Sequence, residues 1–304
     1  MLRVASLLPS LTEIVCALGC REGLVGRSHE CDYPADVSAL PALTAPKFDP
    51  EGSSLAIDQR VRALVRDGLS VYRVDPEGLK AARPDVILTQ DQCEVCAAGI
   101  ADVELAVASW LGAAPRVLSL APRHIDDVWG DIERVAVGLD IPERGRALAR
   151  QLREATAKLS ERAAATDTRP RLVCIEWIEP LMAAGNWMPE LVELAGGIPV
   201  FGESGELSPW ITWEDVVAAD PDALLVMPCG FDVKRTRAEL PILEALPGYT
   251  ALRAVREGRV FIADGNQYFN RSGPRLLESL QILAELLHPE CFDFGHRDRN
   301  LLSA

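Results

Sequence analysis

Two apolar patterns alternate along the chain. Short apolar runs bounded by Gly, Pro and Asp read as buried strands at 4–8, 24–26, 70–74, 86–89 and 117–120. They return at 172–176, 223–227 and 260–263. Between them, apolar positions step by three or four and predict helices at 54–66, 187–194, 213–219 and 275–287. Leu55, Val61, Leu64 and Val65 form the apolar side of the first of these. Ser10-Leu11-Thr12-Glu13 has the form of a capping box and predicts a helix from Ser10 to Leu18-Gly19. Strands alternating with helices predict an α/β fold with parallel sheets. Residues 290–304 read as a polar, poorly ordered tail.

The strongest helical signal lies in the middle, at 124–167. Its first part, 126–138, carries Val128, Trp129, Ile132 and Val135 at helical spacing; Gly138 and Pro142 then punctuate it. The second part, 142–165, has an apolar stripe of Leu148, Leu152, Ala155, Leu159 and Ala163, with charged residues on its other faces. At 1.5 Å per residue it spans roughly 36 Å, the width of a small domain. Such a helix reads as a solvated brace between two α/β halves. The predicted divisions are an N-terminal lobe at 1–123, a bridging segment at 124–168, and a C-terminal lobe with its tail at 169–304. An internal echo supports two similar halves: Ala81-Ala82-Arg83-Pro84-Asp85-Val86-Ile87-Leu88 parallels Ala218-Ala219-Asp220-Pro221-Asp222-Ala223-Leu224-Leu225. Each leads into a strand followed by a cysteine-bearing loop, so both loops are expected at one shared cleft.

With 304 residues, the chain is long enough for about two domains. A net charge of −14 without a basic cluster argues against nucleic acid and anionic membranes as partners. No apolar run is long enough to span a bilayer. The start, Met1-Leu2-Arg3, enters a strand directly, which predicts a cytoplasmic protein as the sequence stands, and a periplasmic one if a leader has been removed. Eight cysteines in a chain of this length suggest reduced thiols rather than a disulfide scaffold.

Motifs for nucleotide binding, a nucleophile elbow or H-E-x-x-H chemistry do not occur, so no catalytic residues are assigned and binding is expected rather than catalysis. Two clusters carry the candidate chemistry. His29, Cys31, Cys93 and Cys96 follow two strands and offer soft-metal ligands, zinc among them. The same thiols suit redox work, ligand contact or plain packing. The second cluster is aromatic and polar: Trp177, Asn186, Trp187, Trp210, Phe231, Asn266, Gln267, Tyr268, Phe269, Asn270 and Arg271. Aromatic faces and amides suit a large flat ligand with a polar edge; packing between lobes is the alternative.

Three stretches carry a resemblance. They are Ser6-Leu7-Leu8-Pro9-Ser10-Leu11-Thr12-Glu13 with Ala17-Leu18-Gly19; Glu176-Trp177 with Pro180-Leu181, Gly185, Glu190-Leu191 and Ala195-Gly196-Gly197; and Ser208-Pro209-Trp210 running into Glu214-Asp215-Val216 and Asp220-Pro221-Asp222. In these, the chain resembles the cobalamin (vitamin B12) substrate-binding proteins of ABC importers, over roughly residues 3–288. The resemblance implies two lobes joined by one long helix, with a corrinoid clamped between them. It implies binding and delivery to an ABC-transporter permease, without catalysis. Pro9, Ser10, Trp177, Trp187, Trp210 and the 266–271 loop would line the site by position. His29, Gln90, Cys93, Asn186 and Phe231 join them as candidate ligand contacts. The 90–96 loop and the His29–Cys31 pair depart from well-known exported members. They favour corrinoid or metal handling or sensing inside the cell. Metal ion, iron-siderophore or haem binding stands next, and a zinc- or thiol-dependent enzyme third.

Overall fold

The computed structural model describes residues 1–67, 69–91, 100–107 and 114–304. The first half runs β1 (Val4–Ser6), α1 (Pro9–Ala17), β2 (Leu24–Arg27), β3 (Thr44–Pro46), α2 (Ser54–Arg66), β4 (Tyr72–Val74), α3 (Pro76–Ala82), β5 (Val86–Gln90), α4 (Ile100–Val107) and β6 (Arg116–Leu120). Two helices follow, α5 (Ile125–Gly138) and α6 (Pro142–Ala164). The second half runs β7 (Arg171–Trp177), β8 (Met182–Ala183), α7 (Met188–Leu194), β9 (Ile198–Pro199), α8 (Trp213–Ala219) and β10 (Ala223–Val226). It continues with α9 (Val233–Glu244), α10 (Arg253–Arg256), β11 (Val260–Ala263), α11 (Leu276–Leu287) and β12 (Leu301–Ser303).

The fold is α/β. One parallel sheet has the order β2-β1-β5-β6. The other has the order β12-β11-β10-β7-β8, with β9 also on β7; β8 and β12 are its antiparallel members. Strands such as β5 and β10 are buried on both faces, which is why they read as continuous apolar runs. The internal echo has a physical basis. Arg83 and Asp220 both adopt the left-handed conformation (φ 43° and 39°) as they end α3 and α8. Asp85 then accepts from the Arg3 backbone N–H at 2.8 Å, and Asp222 from that of Arg171 at 2.8 Å. The Arg3 side chain donates to Ala82 O and the Arg171 side chain to Ala219 O, each at 2.6 Å. One clip therefore ties β1 to the turn into β5, and its copy ties β7 to the turn into β10.

The central helices fall close to their predicted limits, but the buried stripe of α6 is Gly145, Ala149, Leu152, Thr156, Leu159 and Ala163. Leu148 and Ala155 are only half-buried. The face is turned because α5 crosses very closely: a Cβ on Gly145 would lie 2.4 Å from that of Ala136. Helix α6 packs this stripe on α5, α7 and α11, while Glu143, Arg150, Glu154, Lys158 and Glu161 on its other faces are exposed, so it is solvated along one side. One core runs from Val4 and Leu88 through Trp129, Ile132, Leu152 and Leu159 to Leu191, Leu280 and Leu283.

Four other expectations are corrected. Strand β1 ends at Ser6, and α1 opens at Pro9 with no side-chain cap, so Ser10-to-Glu13 is not a capping box. The buried face of α2 centres on Ile57, whereas Leu55 and Val65 are exposed. Strand β4 pairs antiparallel with β3, apart from both large sheets. The C-terminal segment is ordered: β12 pairs with β11, and the buried Glu285 carboxylate accepts from the backbone N–H groups of His296 and Arg297.

Candidate functional site

The loops after β1, β2 and β5 leave the carboxyl ends of one parallel sheet, and those after β7, β10 and β11 leave the same ends of the other. These are the ligand-binding ends of open α/β sheets. Here the two sets meet. Glu13, on α1, is 3% exposed and accepts from Arg271 at 3.0 Å and from Arg275 at 2.9 and 2.6 Å. Asp32, after β2, accepts from Arg271 at 2.7 and 3.1 Å and from Asn266 at 2.9 Å. The Asn266 and Gln267 amide oxygens complete the two guanidinium groups. Burial raises the Asp32 carboxyl, but Arg271, by hydrogen bond and charge, carries it below the usual range. Two cations thus meet two anions in a largely buried, well-bonded cluster.

From this cluster, Asn266 N donates to Phe231 O at 3.1 Å and so leads to the aromatic side chains. Trp177 and Phe231 meet edge to face with centroids 5.3 Å apart. The Arg235 guanidinium lies 3.9 Å over the Phe231 ring, whose own exposure is 1%. Arg62 lies 4.7 Å over Trp210, which is 55% exposed. Beside Trp177, the Glu176 carboxyl accepts from Ser208 Oγ at 2.9 Å, and burial raises its pKa to about 7.

The predicted residues separate into groups. Pro9 and Ser10, in the first turn of α1, and Gln90, at the end of β5, are buried; Ser10 Oγ is 3.5 Å from Ser272 Oγ. Trp187 and Tyr268 belong to the main core, with Trp187 Nε1 donating to Phe269 O at 2.7 Å. Asn186 is half-buried with φ 52°. Asn266, Gln267 and Arg271 are brought together in the ionic cluster. His29 Nδ1 pairs with Thr44 Oγ1 at 2.8 Å, while Cys31 Sγ pairs with Thr12 Oγ1 at 3.1 Å. Burial, then the Arg27 charge, lowers His29 to about 4. Burial raises Cys31 to about 11. Cys93 and Cys96 lie outside the described residues, among which no three His, Cys, Asp or Glu side chains gather to hold a metal. Cys229, in the second cysteine-bearing loop, is exposed.

Residue patterns alone did not mark Asp32, Arg235 or Arg275, and they read Glu13 as part of a helix cap. The available signal was Arg271 and Arg275, spaced four apart beside an Asn-Gln-Tyr-Phe run in an acidic chain.

Comparison with known proteins fits this geometry. The periplasmic binding protein family model matches residues 4–266. The vitamin B12-binding protein of Yersinia pestis (strain Pestoides F) is 26% identical over 299 residues, covering 93% of this chain and 85% of that protein. In fold, a periplasmic haem-binding protein from Pseudomonas aeruginosa aligns with a TM-score of 0.72 at 22% identity, over 95% of this chain and 93% of that one. The periplasmic vitamin B12-binding protein of Vibrio cholerae aligns with a TM-score of 0.65 at 21% identity, over 94% and 96%. No helix among the described residues is long and apolar enough to cross a membrane. With two parallel sheets meeting at their carboxyl ends and the family model spanning most of its length, the chain belongs to the periplasmic binding protein family.

Proposed function

We propose that this chain binds a corrinoid, cobalamin, where the carboxyl ends of its two sheets meet, and hands it to an ABC-transporter permease without transforming it. The lobes would be residues 1–123 and 169–304, with 124–168 as the bridge. The observation that carries the reading is the aromatic rim of half-buried Trp177, backed by the buried Phe231, and exposed Trp210, set beside the amides of Asn266 and Gln267. A corrin is broad, flat and rimmed by amides, so ring faces and amide groups match its two kinds of surface. The full-length likeness to vitamin B12-binding proteins supports the same ligand. Haem is the second reading. It is favoured by Arg62 and Arg235 on the aromatic rings, where the carboxylates of haem would find cations.

The test is direct. The protein is incubated with cyanocobalamin or, separately, with hemin, then desalted, and its visible spectrum recorded. Stoichiometric cobalamin should stay with the protein. Retention of hemin alone would transfer the site to the second reading, and a colourless protein from both would overturn the tetrapyrrole-like class altogether.

A further inference from the structure

We propose that loop 47–53 and α2 form a lid over this site, and that Arg235 and Glu239 on α9 are the positioning residues that hold it shut. The segment is built apart from both large sheets. It stands on the short β3–β4 ladder, whose base is fixed where Asp75 N donates to Leu43 O at 2.8 Å. Above that stem it has only a small apolar cluster of its own, in which Phe48, Val61 and Leu64 pack on Val71 and Tyr72. A unit with so small a core, joined through two chain crossings, belongs to the low-stability end of a structure and can open by itself.

Three contacts close it onto the other half. Arg235 donates to Pro50 O and Gly52 O, each at 2.9 Å. Glu239 accepts from Ser54 N at 2.7 Å, placing a carboxylate at the first turn of α2. Arg62 covers Trp210 at the far end. The middle contact is incompletely satisfied: Ser54 Oγ and Glu239 Oε2 are buried and make no hydrogen bond, which costs free energy in the shut state. The ionic cluster of Glu13, Asp32, Arg271 and Arg275 contrasts with it. There both guanidinium groups and both carboxylates are bonded, and parting them would strand Glu13 and the two buried arginines out of water. Opening therefore proceeds at α2, while the Glu13 joint stays shut.

Arg235 also connects the lid to the site. The same guanidinium that holds Pro50 O and Gly52 O stacks on Phe231, and Phe231 pairs with Trp177. A flat ligand lying on Trp177 would bear on Phe231 and, through it, on Arg235, so occupancy and closure share one side chain. Only the choice of ligand in the second arm of the test rests on the cobalamin reading; the lid is tested without any ligand.

Amide hydrogen exchange of the ligand-free full chain is compared for wild type, Glu239→Ala and Arg235→Ala. Exchange across 54–66 should rise about tenfold or more in each variant, the expected loss of a charge-assisted bond, with α6 and α11 unchanged. Unaltered exchange in α2, or acceleration of every helix together, overturns the proposal. In the second arm, Ser54→Cys with Glu239→Cys is oxidised by oxidised glutathione, with wild type treated alike to account for native thiols. The oxidised double variant should take up cyanocobalamin far more slowly than its reduced form; equal rates overturn the lid. If wild type takes up no cobalamin, the functional reading fails, and the exchange experiment still decides the lid.

Discussion

Removing the Glu13 carboxylate tests the joint between the halves. In Glu13→Ala, the groups that Arg271 and Arg275 lose are a buried anion accepting three N–H bonds at 2.6–3.0 Å. Both arginines are about as buried as core residues, at 7% exposure, so neither can turn to water without moving the chain. Breaking one partner out of a buried ionic group costs about 3–5 kcal/mol, because the remaining charge stays out of water. With an unfolding entropy of about 2.1 cal/mol/K per residue, 304 residues give roughly 0.6 kcal/mol/K, so the melting temperature should fall by about 5–8 °C. Differential scanning calorimetry at neutral pH reads this directly. Adding Arg275→Met to Glu13→Ala removes the stranded cation and should recover part of the loss, making the pair non-additive. A fall of about 1 °C or less, or full additivity of the two changes, would refute the claim that this cluster joins the halves.

Three further outcomes follow from the same geometry. Burial, then the Arg27 charge, lowers His29 from its ordinary 6.5 to about 4 in the folded chain, so the unfolded chain binds more protons between those values. Stability should fall by up to about 3 kcal/mol as pH drops from 6.5 towards 4, and His29→Gln should flatten that slope in melts across the range. Glu176 is raised from 4.5 to about 7, so its stabilising contribution is complete below 4.5 and lost as pH rises through 7. Glu176→Gln should accordingly be the more stable protein at pH 8, by about 1–2 kcal/mol after allowing for its partial exposure; an unchanged melting temperature there would contradict the assignment. Trp177→Ala should weaken cobalamin binding by about 1–3 kcal/mol in calorimetric titration, whereas Trp187→Ala, buried and bonded to Phe269 O, should lose about 3–5 kcal/mol of stability.

The strands, the central helix pair and the Pro-Asp echo were legible because each is written in local spacing. The Arg3 and Arg171 clips explain why the echo is spelled alike in both halves. Glu13 was misread because a capping box and an acid aimed at a distant arginine have the same local spelling; only the partner, 258 residues away, tells them apart. The lid contacts were hidden for the same reason, with Glu239 lying 185 residues from Ser54. Helix α9 was hidden by its cationic residues and by Pro241, which interrupts the periodicity. Trp187 and Trp210 look equivalent as loop aromatics, yet one is core and the other more than half exposed, because exposure is decided by what folds over them. The C-terminal segment read as disordered from its polarity, but backbone N–H groups meeting Glu285 hold it in place.

The most direct test of the central claim maps where cobalamin binds. Amide exchange is recorded across the chain with and without saturating cyanocobalamin. Exchange should slow at 28–32 and 54–66 in one half and at 177–187, 228–235 and 264–271 in the other, appearing together at the same ligand concentration. Protection confined to one half, or no protection at all, would contradict a ligand held between the two sheets.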